Sequence, residues 1–109
     1  MTFWTYMIQC ADGSYYTGHT DDIDFRIAQH HAGKGSQHTR NRRPLKVVWT
    51  QDFPSRYEAL AAERRIKGWS RAKKEALIER DWEKLSILAR NRQGRPSTSS
   101  GRTDEGIGA

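Results

Sequence analysis

Five polar residues, widely separated in the sequence, belong to types that exchange protons or bind anions. Tyrosine, histidine and glutamate side chains transfer protons to and from reacting groups, and arginine pairs with phosphates or carboxylates. The five are Tyr6, Tyr16, Arg26, His30 and Glu63. Such a set suits a reaction on a charged substrate only if the fold brings the side chains together.

Each of these residues also has an ordinary structural explanation. A tyrosine in a strand is most often a half-buried aromatic residue whose hydroxyl reaches the surface. Arg26 and His30 stand one helical turn apart, as a solvated pair would. Glu63 can pair with Lys67 at i+4 in the same way. Taken singly, none of the five indicates a function. Whether they can act together depends on the strands and helices that carry them.

Three segments have strand character. Residues 3–10, FWTYMIQC, are rich in aromatic and β-preferring residues. The Asp12-Gly13 dipeptide that follows is a strong hairpin signal, so residues 14–18 form the returning strand. Residues 45–53, LKVVWTQDF, are a third strand. The two tyrosines of the set therefore lie on neighbouring strands.

Capping signals mark the helices. Asp21 or Asp22 precedes a helix that runs to about His31, and Ser55 with Glu58 forms a capping box for a second helix. Two more helices follow, capped by Ser70 and Asp81. The order β-β-α-β-α-α-α predicts an α+β fold, with a small three-stranded antiparallel sheet flanked by helices.

Composition sets the expected domain organisation. Residues 1–90 are expected to form one domain, and residues 91–109, rich in Gly, Ser, Thr, Pro and Arg, a disordered tail. Cys10 is the single cysteine, which excludes an internal disulfide and favours a reducing compartment. No apolar run approaches the ~18 residues that a membrane helix needs. We therefore predict a soluble, cytoplasmic protein that does not bind membranes.

The net charge of +6 is unevenly distributed. Residues 1–39 carry a net charge of −2, whereas residues 40–92 carry +8. This asymmetry is typical of a surface that binds a polyanion. A solvated basic surface is the alternative explanation.

The five residues follow a known pattern. WTY at 4–6 and YTG at 16–18, followed by Arg26, His30 and Glu63, resemble the GIY-YIG nuclease motif in order and spacing. The first tripeptide keeps the tyrosine but lacks the glycine and isoleucine of the name, and the second keeps tyrosine and glycine. Because five separated positions agree together, the resemblance is specific.

The resemblance covers residues 3 to about 89. Residues 10–44 and 58–78 are similar to the small, standalone, single-domain bacterial members of that superfamily. His38 stands where those members often have an aromatic residue.

The resemblance implies a metal-dependent endonuclease that hydrolyses DNA phosphodiester bonds, structure-selective in repair or recombination. It implies one Mg²⁺ or Mn²⁺ ion held by Glu63, a hard cation that prefers oxygen ligands. Arg26 would bind the phosphate. Tyr6 would activate the attacking water and Tyr16 would position it, although the two roles are open to exchange. The metal, Arg26 and His30 would all favour the Tyr6 phenolate.

The resemblance also gives the basic residues a role in binding DNA, with RNA as the alternative substrate. They would contact phosphates without reading sequence. The candidates are Lys34, Arg40, Arg42, Arg43, Lys67, Arg71 and Lys73. Target selectivity would come from substrate shape alone, or from a second copy of the chain or another protein partner.

Three other hypotheses compete with this one. The first is a nucleic-acid-binding module of the same fold that is catalytically weak or inactive. The second is an interaction protein whose basic face binds an acidic partner, which leaves the five polar residues unexplained. The third is a zinc site formed by Cys10, His30, His31 and His38, which lack a familiar ligand spacing.

Overall fold

The computed structural model describes residues 1–94, and the side chains of residues 1–90. The elements are β1 (Phe3–Gln9), β2 (Tyr15–Thr20), α1 (Ile23–His31), α2 (Gln37–Arg40), β3 (Lys46–Phe53), α3 (Arg56–Lys67), α4 (Arg71–Ile78) and α5 (Trp82–Gly94). The predicted α+β fold with a three-stranded antiparallel sheet is confirmed. The chain divides into two compact units, Met1–Lys67 and a second that begins at Gly68.

The sheet has the order β2-β1-β3, so β1 is the central strand. Both of its neighbours run antiparallel to it, and the register against β3 shifts between Met7 and Ile8. The turn between β1 and β2 is the predicted one. Gly13 adopts a φ of 87°, and the Ser14 hydroxyl donates to the Asp12 carboxylate at 2.6 Å.

Both faces of β1 are buried. On one face, Tyr6, Ile8 and Cys10 form a core cluster with Leu45, against which α1 packs through partly buried isoleucines. On the other face, the hydroxyl of Thr5 donates to the carbonyl oxygen of Ala59 in α3 at 2.7 Å. The central strand therefore carries side chains to two separate environments, one under α1 and one under α3.

The predicted helices of this unit are present, and one more exists. The capping box is confirmed, since the Glu58 amide donates to the Ser55 hydroxyl oxygen at 3.2 Å and that hydroxyl donates to the Glu58 carboxylate at 3.0 Å. The additional helix is the short α2, in the segment between α1 and β3. Ser36 caps α2, because its hydroxyl oxygen accepts from the Thr39 amide at 3.2 Å.

The second unit contains α4 and α5, each with its predicted cap. The Ser70 hydroxyl accepts from the third residue of α4, and the Asp81 carboxylate accepts from the Lys84 amide. Helix α5 continues to Gly94, past the expected start of the tail at residue 91, and the rest of that tail lies outside the described residues. None of the helices in residues 1–94 has the length and apolar character to span a bilayer.

Candidate active site

The two tyrosines lie on one face of the sheet. Tyr6 of β1 pairs with Gly18, and Ile8 pairs with Tyr16 of β2. Cross-strand partners share a face and alternate residues return to it, so both tyrosines point the same way. Their ring centroids are 6.4 Å apart. A Cβ atom at Gly18 would lie 2.6 Å from the Tyr6 hydroxyl oxygen, which explains the glycine at this position.

His30, near the end of α1, is fully buried between the tyrosines and α2. Its ring centroid lies 5.5 Å from that of Tyr6 and 5.3 Å from that of Tyr16. Both ring nitrogens have a partner, because Nε2 lies 2.8 Å from the Tyr6 hydroxyl oxygen and Nδ1 lies 2.8 Å from the Thr39 hydroxyl oxygen. The imidazole is therefore held at both ends.

The Thr39 hydroxyl has three neighbours with which it can form hydrogen bonds. They are Nδ1 of His30 at 2.8 Å, the carbonyl oxygen of Ser36 at 3.1 Å and the hydroxyl oxygen of Ser36 at 3.2 Å. A hydroxyl donates one hydrogen and accepts from other donors, so Thr39 can serve either tautomer of His30. In both tautomers one ring nitrogen is bonded to Thr39 and the other to Tyr6.

Burial holds this pair in its neutral form. Burial lowers the pKa of His30 to about 4, and the positive charges of Arg26 and His31 add to this effect. Burial also raises the pKa of Tyr6 to about 12, although Arg26 beside it acts in the opposite direction. The resemblance had implied that neighbouring groups stabilise a Tyr6 phenolate. In this structure the effect of burial on the pKa of Tyr6 is larger than the opposite effect of Arg26.

Arg26 joins the same cluster from α1, one turn before His30. Burial would lower the pKa of its guanidinium, but the neighbouring hydroxyls of Tyr6 and Tyr16 raise it. One guanidinium nitrogen donates to the Gln29 side-chain oxygen at 3.1 Å, which holds the side chain on the helix. Arg26 is partly exposed, so an incoming anion can reach it.

Glu63 of α3 has two partners of its own. Its Oε1 atom lies 2.6 Å from Nδ1 of His19, and its Oε2 atom lies 2.7 Å from Nζ of Lys67. Burial would raise the pKa of Glu63, but the hydrogen bonds from Lys67 and His19 hold it below its usual value. The carboxylate is therefore ionised at neutral pH, and only 12% of the side chain is exposed.

The structure brings four of the five residues into one cluster and places the fifth, Glu63, on the other face of the sheet. His19 pairs with Thr5, so the bond between His19 and Glu63 lies on the α3 face of the sheet, whereas Tyr6 and Tyr16 lie on the α1 face. Glu63 nevertheless influences the cluster, because its charge raises the pKa of Tyr6.

Several residues that contact this set were not among the sequence candidates for catalysis, among them Thr39, His19 and His38. The ring of His38 stacks on Tyr16, with centroids 6.0 Å apart and an interplanar angle of 28°. Its Nε2 atom lies 3.0 Å from the Ser14 hydroxyl oxygen. His38 thus stacks on Tyr16 as an aromatic residue would and also bonds to the hairpin turn.

The candidate phosphate-binding residues are not equivalent. Lys34 and Arg40 are exposed. Arg42 instead forms an ion pair with Asp12 at 3.0 Å and donates to the His38 carbonyl oxygen, so it ties the loop to the hairpin turn. Arg43 is exposed, but it donates to the carbonyl oxygens of two nearby residues, Arg40 and His31.

The remaining cations also differ from one another. Lys67 is half exposed and is paired with Glu63. In the second unit, Arg71 pairs with Glu75 at 3.0 Å. Lys73 was predicted to contact nucleic-acid phosphates, and its burial argues against that role. Its ammonium lies 4.5 Å from the ring centroid of Trp69. It is not part of an exposed basic surface.

Residues 1–94 contain no group of three or more His, Cys, Asp or Glu side chains arranged to hold a metal ion. The zinc hypothesis therefore has no support in this part of the chain. Its central ligand, His30, already uses both ring nitrogens in hydrogen bonds.

The buried neutral state of His30 predicts a specific pH dependence of stability. The folded state resists protonation until about pH 4, whereas the unfolded state takes up a proton near pH 6.5. Between these values the unfolded state binds more protons, so the free energy of unfolding decreases as the pH falls from 6.5 to 4. The loss amounts to about 3 kcal/mol and then levels off. Urea unfolding measured at several pH values tests this expectation.

A His30→Gln variant is the matched control, because it keeps every carboxylate and removes only this titration. The difference in slope between wild type and variant isolates His30. A proton NMR titration checks the same point directly, since the His30 ring should stay neutral to near pH 4. A ring that titrates near 6.5 would contradict the assignment.

Taken together, the sheet order, the paired tyrosines and the Arg–His face of the first helix define a GIY-YIG domain. A family model described as the GIY-YIG catalytic domain matches residues 2–76. The chain belongs to the GIY-YIG family, which places it in a nuclease superfamily whose substrates are nucleic acids. The resemblance drawn from the motif is confirmed.

Individual relatives narrow the placement to the UPF0213 proteins. The UPF0213 protein VNG_2274C of Halobacterium salinarum is 51% identical over 73 residues, which are 67% of this chain and 95% of that one. The UPF0213 protein BH0048 of Halalkalibacterium halodurans is 47% identical over 78 residues, or 72% and 83% of the two chains. The solution NMR structure of the UPF0213 protein BH0048 from Bacillus halodurans superposes with a TM-score of 0.50 at 43% identity, covering 81% of this chain and 97% of that one.

Proposed function

We propose that this chain is a metal-dependent endonuclease that hydrolyses phosphodiester bonds in DNA. The observation that carries the proposal is the cluster of Tyr6, Tyr16, Arg26 and His30 within a GIY-YIG domain. The cluster combines a cation, two hydroxyl groups and a neutral imidazole on one face of the sheet. Hydrolysis of a phosphodiester needs these functions, namely binding of the phosphate and placement of a water molecule.

Arg26 is the proposed phosphate ligand. Its guanidinium is planar, permanently charged and partly exposed, and it lies beside both tyrosine hydroxyls. A phosphate bound to Arg26 would therefore sit within reach of those hydroxyls. The side chain also stabilises negative charge that develops on the phosphate oxygens during hydrolysis.

We assign the water-contacting role to Tyr16 and a structural role to Tyr6, which departs from both assignments that the resemblance left open. Tyr6 is 1% exposed, and its hydroxyl is already committed to His30. Tyr16 is half-buried and so is more accessible to water and substrate. In this arrangement the bond between Tyr6 and His30 holds the His30 ring in place, and that ring in turn contacts Tyr16.

Glu63 suits a single hard cation. Its carboxylate is ionised, and among the described side chains each oxygen has one hydrogen-bonding partner, which leaves a second lone pair for a cation. One carboxylate together with a phosphate oxygen and water is sufficient for Mg²⁺ or Mn²⁺. When bound, such an ion supplies Lewis-acid stabilisation of the phosphate charge. The residue's own contribution is to hold a negative charge near the tyrosine cluster.

Exposed cations would hold the rest of the nucleic acid. Lys34 and Arg40 are the proposed backbone contacts on the loop around α2, and Lys67 lies at the end of α3. Contacts of this kind bind phosphates without sequence selectivity, and their strength falls as salt rises. The proposal therefore predicts salt-sensitive binding and leaves substrate shape as the means of selection.

A cleavage assay tests the proposal. Purified protein is incubated with labelled linear, flapped and branched DNA and with matched RNA, in Mg²⁺, in Mn²⁺ or in chelator. We expect cleavage of DNA in either metal, none in chelator, and a loss of about 10³-fold in the Glu63→Gln variant, which keeps the shape of the side chain but removes its charge. A rate in Glu63→Gln equal to that of wild type would contradict the role of this carboxylate.

The competing function is binding without catalysis. Wild-type protein that binds the same DNA but cuts none of it, with either metal, would identify the chain as a nucleic-acid-binding module of the GIY-YIG fold. Preferential cleavage of the RNA would retain the nuclease chemistry and change the substrate class.

A further inference from the structure

We infer that His19 is a positioning residue for Glu63, and that Lys67 is a displaceable cation that occupies the second carboxylate oxygen until a divalent ion takes its place. The inference rests on the proposed function, because it assumes that Glu63 is the metal-binding carboxylate. It adds two residues whose roles differ although both contact the same side chain.

The contact between His19 and Glu63 is short and shielded. Nδ1 of His19 lies 2.6 Å from Oε1 of Glu63, and the two side chains are 23% and 12% exposed. A carboxylate has only acceptors, so the imidazole must donate from Nδ1. This bond fixes both the position of one oxygen and the rotation of the carboxylate plane.

His19 is anchored in the sheet. It lies on β2 directly opposite Thr5 of β1, and the hydroxyl of Thr5 bonds to the Ala59 carbonyl oxygen in α3. Ala59 lies one turn before Glu63 on the same helix. The strand pair and α3 are therefore joined at two neighbouring points, and His19 has only two side-chain torsions with which to move.

Lys67 is more exposed and more flexible than His19. Its ammonium lies 2.7 Å from Oε2 of Glu63, but its side chain is 52% exposed and has four rotatable carbon–carbon bonds. It is also the last residue of α3. Lysine–glutamate pairs at i+4 contribute little to helix stability, and the exposed ammonium of Lys67 can turn into solvent, so this contact is readily exchanged.

The two oxygens of Glu63 are thus held unequally. A divalent cation that approaches Oε2 competes with one exposed ammonium, while the bond to His19 keeps the carboxylate in place. Two opposite effects on metal affinity follow. Loss of His19 should weaken binding of the ion, and loss of the Lys67 charge should strengthen it.

Direct binding of Mn²⁺ to the full chain tests both effects without any substrate. The electron paramagnetic resonance signal of free Mn²⁺ is measured during a titration of wild type and variants, and thermal unfolding confirms that each variant is folded. Removal of a group that orients a metal ligand typically weakens metal affinity by about 10- to 100-fold, which is the expected result for His19→Ala. His19→Asn should restore affinity to within about threefold, because the asparagine amide can donate from the position of Nδ1.

Lys67→Gln should bind Mn²⁺ about two- to fivefold more tightly than wild type, because the ion no longer has to displace the ammonium that pairs with Oε2 at i+4. Arg65→Gln is the matched control, because it removes the same charge from an exposed position on the same helix. If both variants tighten binding equally, the effect arises from net charge, and the inference that the ion displaces Lys67 is wrong.

The failures are distinguishable. Glu63→Gln should abolish Mn²⁺ binding, and retained binding in that variant would overturn the metal assignment of the proposed function together with this inference. Loss of binding in Glu63→Gln with wild-type affinity in His19→Ala would overturn the positioning role alone. Equal weakening in His19→Ala and His19→Asn would also overturn it, because a purely structural role would not be rescued by the donor.

Discussion

Replacing Gly35 by alanine is expected to destabilise the first unit by about 3 kcal/mol and to disrupt the contact between His30 and Tyr6. A Cβ atom at this position would lie 2.2 Å from Nδ1 of His30 and within 2.8 Å of two further ring atoms. The ring has no room to retreat, because it is fully buried and both nitrogens are bonded. Urea unfolding and the NMR signal of the His30 ring measure the two effects.

Removal of the imidazole provides the control for this prediction. Gly35 does not have the positive φ that Gly13 and Gly33 adopt, so an alanine there suffers from lack of space and not from backbone conformation. In a His30→Ala background the added methyl group should therefore cost little. A double-mutant cycle should show strong coupling between positions 30 and 35. Equal costs of Gly35→Ala in both backgrounds would show that the ring is not what excludes a side chain.

Local signals were sufficient to predict the elements that carry the site. The Asp12-Gly13 turn and the Ser55–Glu58 capping box are sequence-local devices, and each takes the form that its residues require. The strand character of residues 3–10 likewise placed Tyr6 correctly on a strand, which is β1. These features depend on neighbours within four residues, so a single sequence contains the necessary information.

Contacts between distant elements could not be predicted in the same way. Thr39 holds His30 because α2 folds back against α1, and no sequence pattern around Thr39 predicted that packing. The Ser36-x-x-Thr39 spacing was the one local signal, since it is the spacing of a capping serine and its amide partner. A site assembled from side chains far apart in sequence is therefore recognised by its motif long before its supporting residues are known.

The bond between His19 and Glu63 is a second contact that the sequence could not predict. It follows the YTG tripeptide directly, and strand alternation places it on the face opposite Tyr16. Its partner, Glu63, comes from a helix 44 positions later. The sequence did suggest that Glu63 could pair with Lys67, and the structure contains this pair alongside the bond to His19. The ordinary and the functional explanations of Glu63 are therefore compatible.

Replacing Tyr16 by phenylalanine is expected to lower the rate of DNA cleavage by about 10²- to 10⁴-fold with little change in stability. Tyr16 is half-buried, its ring contacts the rings of His30 and His38, and a phenylalanine keeps those contacts. Only the hydroxyl that would meet the water and the phosphate is lost. Single-turnover cleavage, DNA binding and thermal unfolding separate the chemical effect from the others.

Tyr6→Phe supplies the contrast, because the same atom is removed from a buried position. The loss of this hydroxyl leaves the buried Nε2 of His30 without its hydrogen-bonding partner, which costs about 1–3 kcal/mol of folding free energy. With its pKa near 12, the Tyr6 hydroxyl keeps its proton through neutral pH and makes a poor base. We therefore expect Tyr6→Phe to lose stability first and to lose less of the chemical rate than Tyr16→Phe does. The opposite pattern, a stable Tyr6→Phe that cuts no DNA beside an active Tyr16→Phe, would return the water-activating role to Tyr6.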